Sequence, residues 1–123
     1  PRVVFTDPQA AAVGQVDGPR TGTARISQVP RAATYERPLG RPGHLTLVSA
    51  GAVLTGAHAV GPEAGEWIGQ ATLAIRAGVP LEVLRDTIQP FPTFSEIYAH
   101  ALDDLCGPAG RRVTAARSSA PAR

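Results

Sequence analysis

The segment Pro90-Phe91-Pro92-Thr93-Phe94-Ser95-Glu96 fixes more local geometry than any other stretch of the chain. Each proline sets its own φ and pushes the residue before it out of the helical region, so Phe91 stands on a stiff, non-helical arm. A helix start follows at once. Thr93 and Glu96 have the spacing of a capping box, in which the hydroxyl accepts from the N–H three residues on and the carboxylate reaches back to the threonine N–H. Phe94, Ile97, Tyr98, Ala101, Leu102 and Leu105 then fall on one side of a helix through Cys106, with Asp103 and Asp104 outside and Gly107-Pro108 as the stop. On these grounds alone Glu96 is a helix cap.

The rest of the chain reads as strands first and helices later. Residues 2–6 suggest a short strand, and Asp7-Pro8 suggests an N-cap with proline at the first helical position, for a short helix stopped by Gly14. Thr21 to Val29 alternates as a strand should, and residues 30–43, rich in proline and glycine, read as a loop. His44–Ser49 and Ala52–Val60 are apolar, β-branched and joined by Ala50-Gly51, the pattern of a hairpin at the centre of a sheet. Gly61-Pro62-Glu63 opens a single long helix that Gly78 and Pro80 close, with Ala64, Ile68, Ala71 and Ile75 on one face and Trp67 beside it. Gly61, Gly65 and Gly69 recur on another face, either for close packing within the chain or for a subunit contact, and close packing is the preferred reading. Pro80 to Ile88 suggests a further helix with Leu81, Leu84 and Ile88 turned inward. The fold class is therefore α+β, an antiparallel sheet with helices packed on one face. Residues 1–106 form one domain, and 107–123, dominated by Arg, Ala, Ser and Pro, are expected to be a disordered tail.

Charge and cysteine content exclude several functions. The formal charge of +2 misleads, because four of the twelve arginines lie beyond Gly107; the remaining eight face ten acids, a net −2. A nucleic-acid interface needs clustered cations on a folded face, so none is expected. A single cysteine, Cys106, rules out a disulfide framework or a redox dithiol within the chain and makes the reducing cytoplasm the expected compartment. No apolar run is long enough to span a bilayer and no signal segment is expected, while the opening Val3-Val4-Phe5 suits an internal cut in a longer protein.

Three blocks together resemble a known family. The order Phe91-Pro92-Thr93-Phe94-Ser95-Glu96 resembles the C-terminal signature of the flavin-dependent pyridine nucleotide-disulfide oxidoreductases, the family of dihydrolipoamide dehydrogenase, glutathione reductase and mercuric reductase. Phe5-Thr6-Asp7-Pro8-Gln9-Ala10-Ala11-Ala12-Val13-Gly14 resembles the opening of that family's dimerisation domain, and Leu54-Thr55-Gly56-Ala57-His58-Ala59-Val60-Gly61-Pro62-Glu63-Ala64-Gly65-Glu66 its central strand-to-helix block. The blocks stand in family order over about residues 1–106. The resemblance implies a homodimerisation domain that completes the partner subunit's active site in an FAD- and NAD(P)H-dependent oxidoreductase, behind N-terminal FAD- and NAD(P)-binding domains of the same polypeptide. It implies that Phe91 and Pro92 lie near the partner's flavin and that Glu96 is the carboxylate of the family's catalytic dyad.

The dyad's other member is usually a histidine, which shuttles a proton near neutral pH. Phe91 holds that place here and has no nitrogen to carry one, which disfavours disulfide reduction and suits an acceptor such as a quinone. The chain alone is expected to bind no cofactor, since no glycine-rich dinucleotide motif follows a strand, and no metal site is expected. His100, one turn after Glu96, reads as its solvated ion-pair partner, and His58 as structural. Ser95, His100 and Asp103 supply the residue types of a hydrolase triad but lie along one helix, without the strained turn a nucleophile needs. The alternative from another class is a free-standing small-molecule-binding or regulatory protein of the same fold.

Overall fold

The computed structural model describes residues 1–34 and 43–107. Five strands, β1 Arg2–Val4, β2 Gln9–Gly14, β3 Arg20–Arg25, β4 His44–Ala50 and β5 Val53–Gly61, form one antiparallel sheet in the order β1-β2-β5-β4-β3. The helices α1 Ala64–Trp67, α2 Gly69–Ala77 and α3 Leu81–Asp86 follow, and a 3₁₀ turn at Phe94–Glu96 runs on as a helix over 97–107, here α4. The α+β class holds, as does the hairpin of β4 and β5, with Gly51 at φ +65° in its turn and β5 at the sheet's centre. Gly107, the first residue of the proposed tail, still belongs to α4; the rest of the tail (108–123) lies outside the described residues, as does most of the proposed loop (35–42).

The register sorts the side chains. One face presents the row Val3, Ala11, Ala59, Leu45 and Ala24, and beside it Val13, Ala57, Leu47 and Gly22. These pack with Ala64, Trp67, Ile68 and Ala71 and with the apolar side of α4 into one buried core. Small residues in the rows let the helices sit close. A Cβ on Gly22 would run into the backbone of Ala101 and Leu105, so α4 lies directly on β3. Gly61 packs against Ile26 and Trp67, and Gly65 against Val3 and Gln9, whereas nothing approaches Gly69; close packing within the chain accounts for two of the three glycines.

Four expectations need correction. Gln9–Gly14 is a strand, not a helix, and follows a cis Asp7–Pro8 bond; hydrogen-bonded neighbours on both sides, β1 and β5, override the helical preference of its alanines. The strand from Thr21 stops at Arg25, and Ile26–Gln28 forms a 3₁₀ turn that still buries Ile26. Ile88 is 92% exposed, because α3 ends at Asp86 and Thr87 is extended, so the helical period never reaches residue 88.

The long helix is the fourth. It is interrupted between Trp67 and Gly69 by a side chain from α4. The buried Tyr98 hydroxyl donates to the Trp67 carbonyl at 2.6 Å and accepts from the Ala71 N–H at 3.1 Å. Those two backbone groups would bond each other in an unbroken helix, so the phenol is inserted into the ladder and splits it. Burial raises the Tyr98 pKa and so keeps the hydroxyl protonated and able to donate, outweighing the hydrogen bond from the Ala71 N–H, which acts in the opposite direction.

Candidate functional site

The arm of residues 89–93 is held at both ends. The Thr93 hydroxyl donates to the Pro90 carbonyl at 2.6 Å, closing a tight loop around the cis Phe91–Pro92 bond. The Thr93 N–H donates to Glu96 Oε2 at 3.2 Å, within the capping box that the spacing predicts. Upstream, Gln89 and Gln70 exchange amide hydrogen bonds at 2.7 and 3.2 Å, tying the root of the arm to α2. Phe94 is buried behind the arm, with the Arg31 guanidinium 4.8 Å from its ring centroid, a cation–π contact. Between these ties Phe91 projects, 73% exposed. The result is an apolar ring on a braced loop, with its side chain largely bare.

Glu96 serves that brace. Its carboxylate turns back to the Thr93 N–H, and no ion pair joins it to His100, contrary to the expected i, i+4 contact. Ser95, His100 and Asp103 form no triad either, since Asp103 pairs with Arg85 at 3.2 Å. Among the described residues no cluster of three His, Cys, Asp or Glu side chains is placed to hold a metal.

A second group of polar and titratable side chains lies on the sheet face away from the helices. Rows across it run Val4, Ala10, Val60, His44, Arg25 and Arg2, Ala12, His58, Thr46, Thr23. His44 Nε2 and His58 Nδ1 stand 3.5 Å apart, their rings edge to face at 76°. Burial, and then the neighbouring His58, lower the pKa of His44 below the ordinary imidazole value. Sequence reasoning took His58 as structural and missed the pair. The register explains why: in the turn Ala50 faces Val53 and Ser49 faces Leu54, and that spacing continued would set His44 opposite Ala59, on the other side from His58. A shift between Val48 and Ser49 moves His44 opposite Val60 and brings both rings to one face.

A family model described as the pyridine nucleotide-disulphide oxidoreductase dimerisation domain matches residues 1–102. The chain belongs to that family. The dimerisation domain is 36% identical over 117 residues to a dihydrolipoyl dehydrogenase of Haloferax volcanii, covering 89% of this chain and 24% of that protein. It is 40% identical over 107 residues to a mercuric reductase of Shigella flexneri, covering 78% of this chain and 18% of the relative. In architecture it is similar to LpdA from Mycobacterium tuberculosis, with a TM-score of 0.72 at 24% identity over 86% of this chain and 25% of that one. The HOCl-induced flavoprotein disulfide reductase RclA from Escherichia coli gives a TM-score of 0.69 at 22% identity, over 83% of this chain and 25% of that one. The dimerisation domain thus spans about a quarter or less of the length of its curated relatives. No helix among the described residues is long and apolar enough to cross a membrane.

Proposed function

We propose that this domain pairs with a second copy of itself and completes the partner's flavin site in an FAD-dependent, NAD(P)H-linked oxidoreductase, with the FAD- and NAD(P)-binding domains on the same polypeptide. The observation that carries the reading is Phe91, an apolar ring left bare on a loop braced from both ends. Exposed apolar anchors on rigid supports suit surfaces that an assembly covers. The family and the length of its members beyond the matched quarter support the other domains.

The side chains fit a position beside a flat, conjugated ring. Phe91 and Pro92 offer apolar surface and no side-chain donor, so they exclude water and pack without hydrogen bonding. FAD, when bound in the full-length enzyme, supplies electron transfer between the nicotinamide nucleotide and the acceptor. Glu96 holds the loop through the Thr93 N–H and so positions Phe91. No imidazole stands at residue 91 to relay a proton, so the acceptor is one that needs no such relay, a quinone or similar electron acceptor, in preference to a disulfide.

The test uses the full-length enzyme. Quinone reduction should proceed at ordinary rates and disulfide reduction should be slow, with Phe91→His raising the second. Ordinary disulfide reduction that Phe91→His leaves unchanged would overturn the assignment. Sedimentation equilibrium tests pairing separately, and a strict monomer at high concentration would refute it.

A further inference from the structure

The histidine pair on the open sheet face is unused by the dimer and flavin reading. We propose that His44 and His58 form a two-imidazole site for one divalent transition-metal ion of the copper, nickel and zinc series. The geometry is close to what such an ion requires. Metal–nitrogen bonds of about 2.0–2.1 Å to two nitrogens standing 3.5 Å apart enclose an angle of roughly 117°, near tetrahedral, so His44 Nε2 and His58 Nδ1 reach one ion with little movement. Binding fixes the tautomers, with the remaining protons on His44 Nδ1 and His58 Nε2. The rings are held by two paired strands rather than by a loop, and the long 3.5 Å contact they make with each other is a weak hydrogen bond to give up.

Access and selectivity follow from the surroundings. The histidines border an open groove walled by Val4, Ala10, Ala12 and Val60, with Arg2 contributed by the edge strand β1. None of the five strands carries an Asp or Glu, and Arg2 and Arg25 share this face. Calcium and magnesium, which need oxygen ligands, are therefore excluded, while copper, nickel and zinc accept neutral imidazole. Both guanidinium groups belong to exposed residues, so water screens their repulsion of a cation. No third His, Cys, Asp or Glu side chain joins the pair among the described residues, so water fills the other positions and the ion exchanges readily. A bound ion cross-links β4 and β5 on the face away from the core.

The experiment uses the 123-residue chain with Cys106→Ser, which removes the one thiol that competes for copper. Titration with Cu(II)–iminodiacetate, followed by electron paramagnetic resonance, should give one bound ion with hyperfine structure from two imidazole nitrogens. His44→Gln and His58→Gln should each weaken binding by about tenfold or more, through loss of the chelate, while His100→Gln leaves it unchanged. Zn(II) chloride should raise the melting temperature of the parent chain and not that of His44→Gln. A measurement without variants guards against misfolding: amide signals broadened by copper should centre on β4 and β5. Wild-type affinity in either single variant, loss of binding with His100→Gln, or broadening centred on Pro1 would each overturn the site.

Discussion

Replacing Tyr98 by phenylalanine removes one oxygen atom and tests whether the phenol, rather than propensity, splits the helix between α1 and α2. The hydroxyl satisfies two buried backbone groups, the Trp67 carbonyl at 2.6 Å and the Ala71 N–H at 3.1 Å. Each hydrogen bond is worth about 1 kcal/mol net, and each buried group left unpaired costs about 1–3 kcal/mol. Direct closure of the ladder would recover part of this, but only by shifting Trp67, Ile68 and Ala71 within the core they fill. A loss of about 2–4 kcal/mol is therefore expected, and for a domain of this size that lowers the melting temperature by roughly 8 °C or more. Urea unfolding followed by fluorescence of the single tryptophan, Trp67, reads the change at the site itself. An unchanged midpoint with an unchanged circular dichroism spectrum would refute the reasoning, because it would mean that the hydroxyl contributes nothing the helix cannot supply.

Gly22→Ala should destabilise by about 1–3 kcal/mol, since its Cβ meets the backbone of Ala101 and Leu105 and α4 must lift from β3; a thermal melt checks this. Phe91→Ala should change stability by less than about 0.5 kcal/mol in urea, because the ring is exposed, so any larger loss would place the ring in the domain's own core. Stability should also depend on His44, whose folded pKa is lowered from 6.5. As the pH falls through that value the unfolded chain takes up the proton first, so stability present above it declines until the lower folded pKa is passed. Unfolding midpoints at several values between neutrality and pH 5 should show that decline, weakened in His44→Gln; a rise in stability over the same range would contradict the assigned shift.

Much of the site was legible in the residues, for reasons that are local. The Thr93–Glu96 box needs only neighbours in sequence, and the buried set Phe94, Ile97, Tyr98, Ala101, Leu102 and Leu105 follows from one helical period. The β4–β5 hairpin was equally readable, since its turn and its apolar runs are contiguous. The misreadings share a different cause. Gln9–Gly14 looks helical until β1 and β5 pair with it, and residues 62–78 look like one helix until Tyr98 arrives from α4. The Glu96–His100 pair failed because the carboxylate was already committed to the cap.

The sequence by itself determined the family, the α+β class, the stiff proline arm that carries Phe91 and the missing imidazole there, all of which depend on residue identity and short-range geometry. Only the tertiary structure decided that two histidines fourteen residues apart face each other. That outcome hangs on one register shift between Val48 and Ser49, because in a strand a displacement of a single residue moves a side chain from one face of the sheet to the other.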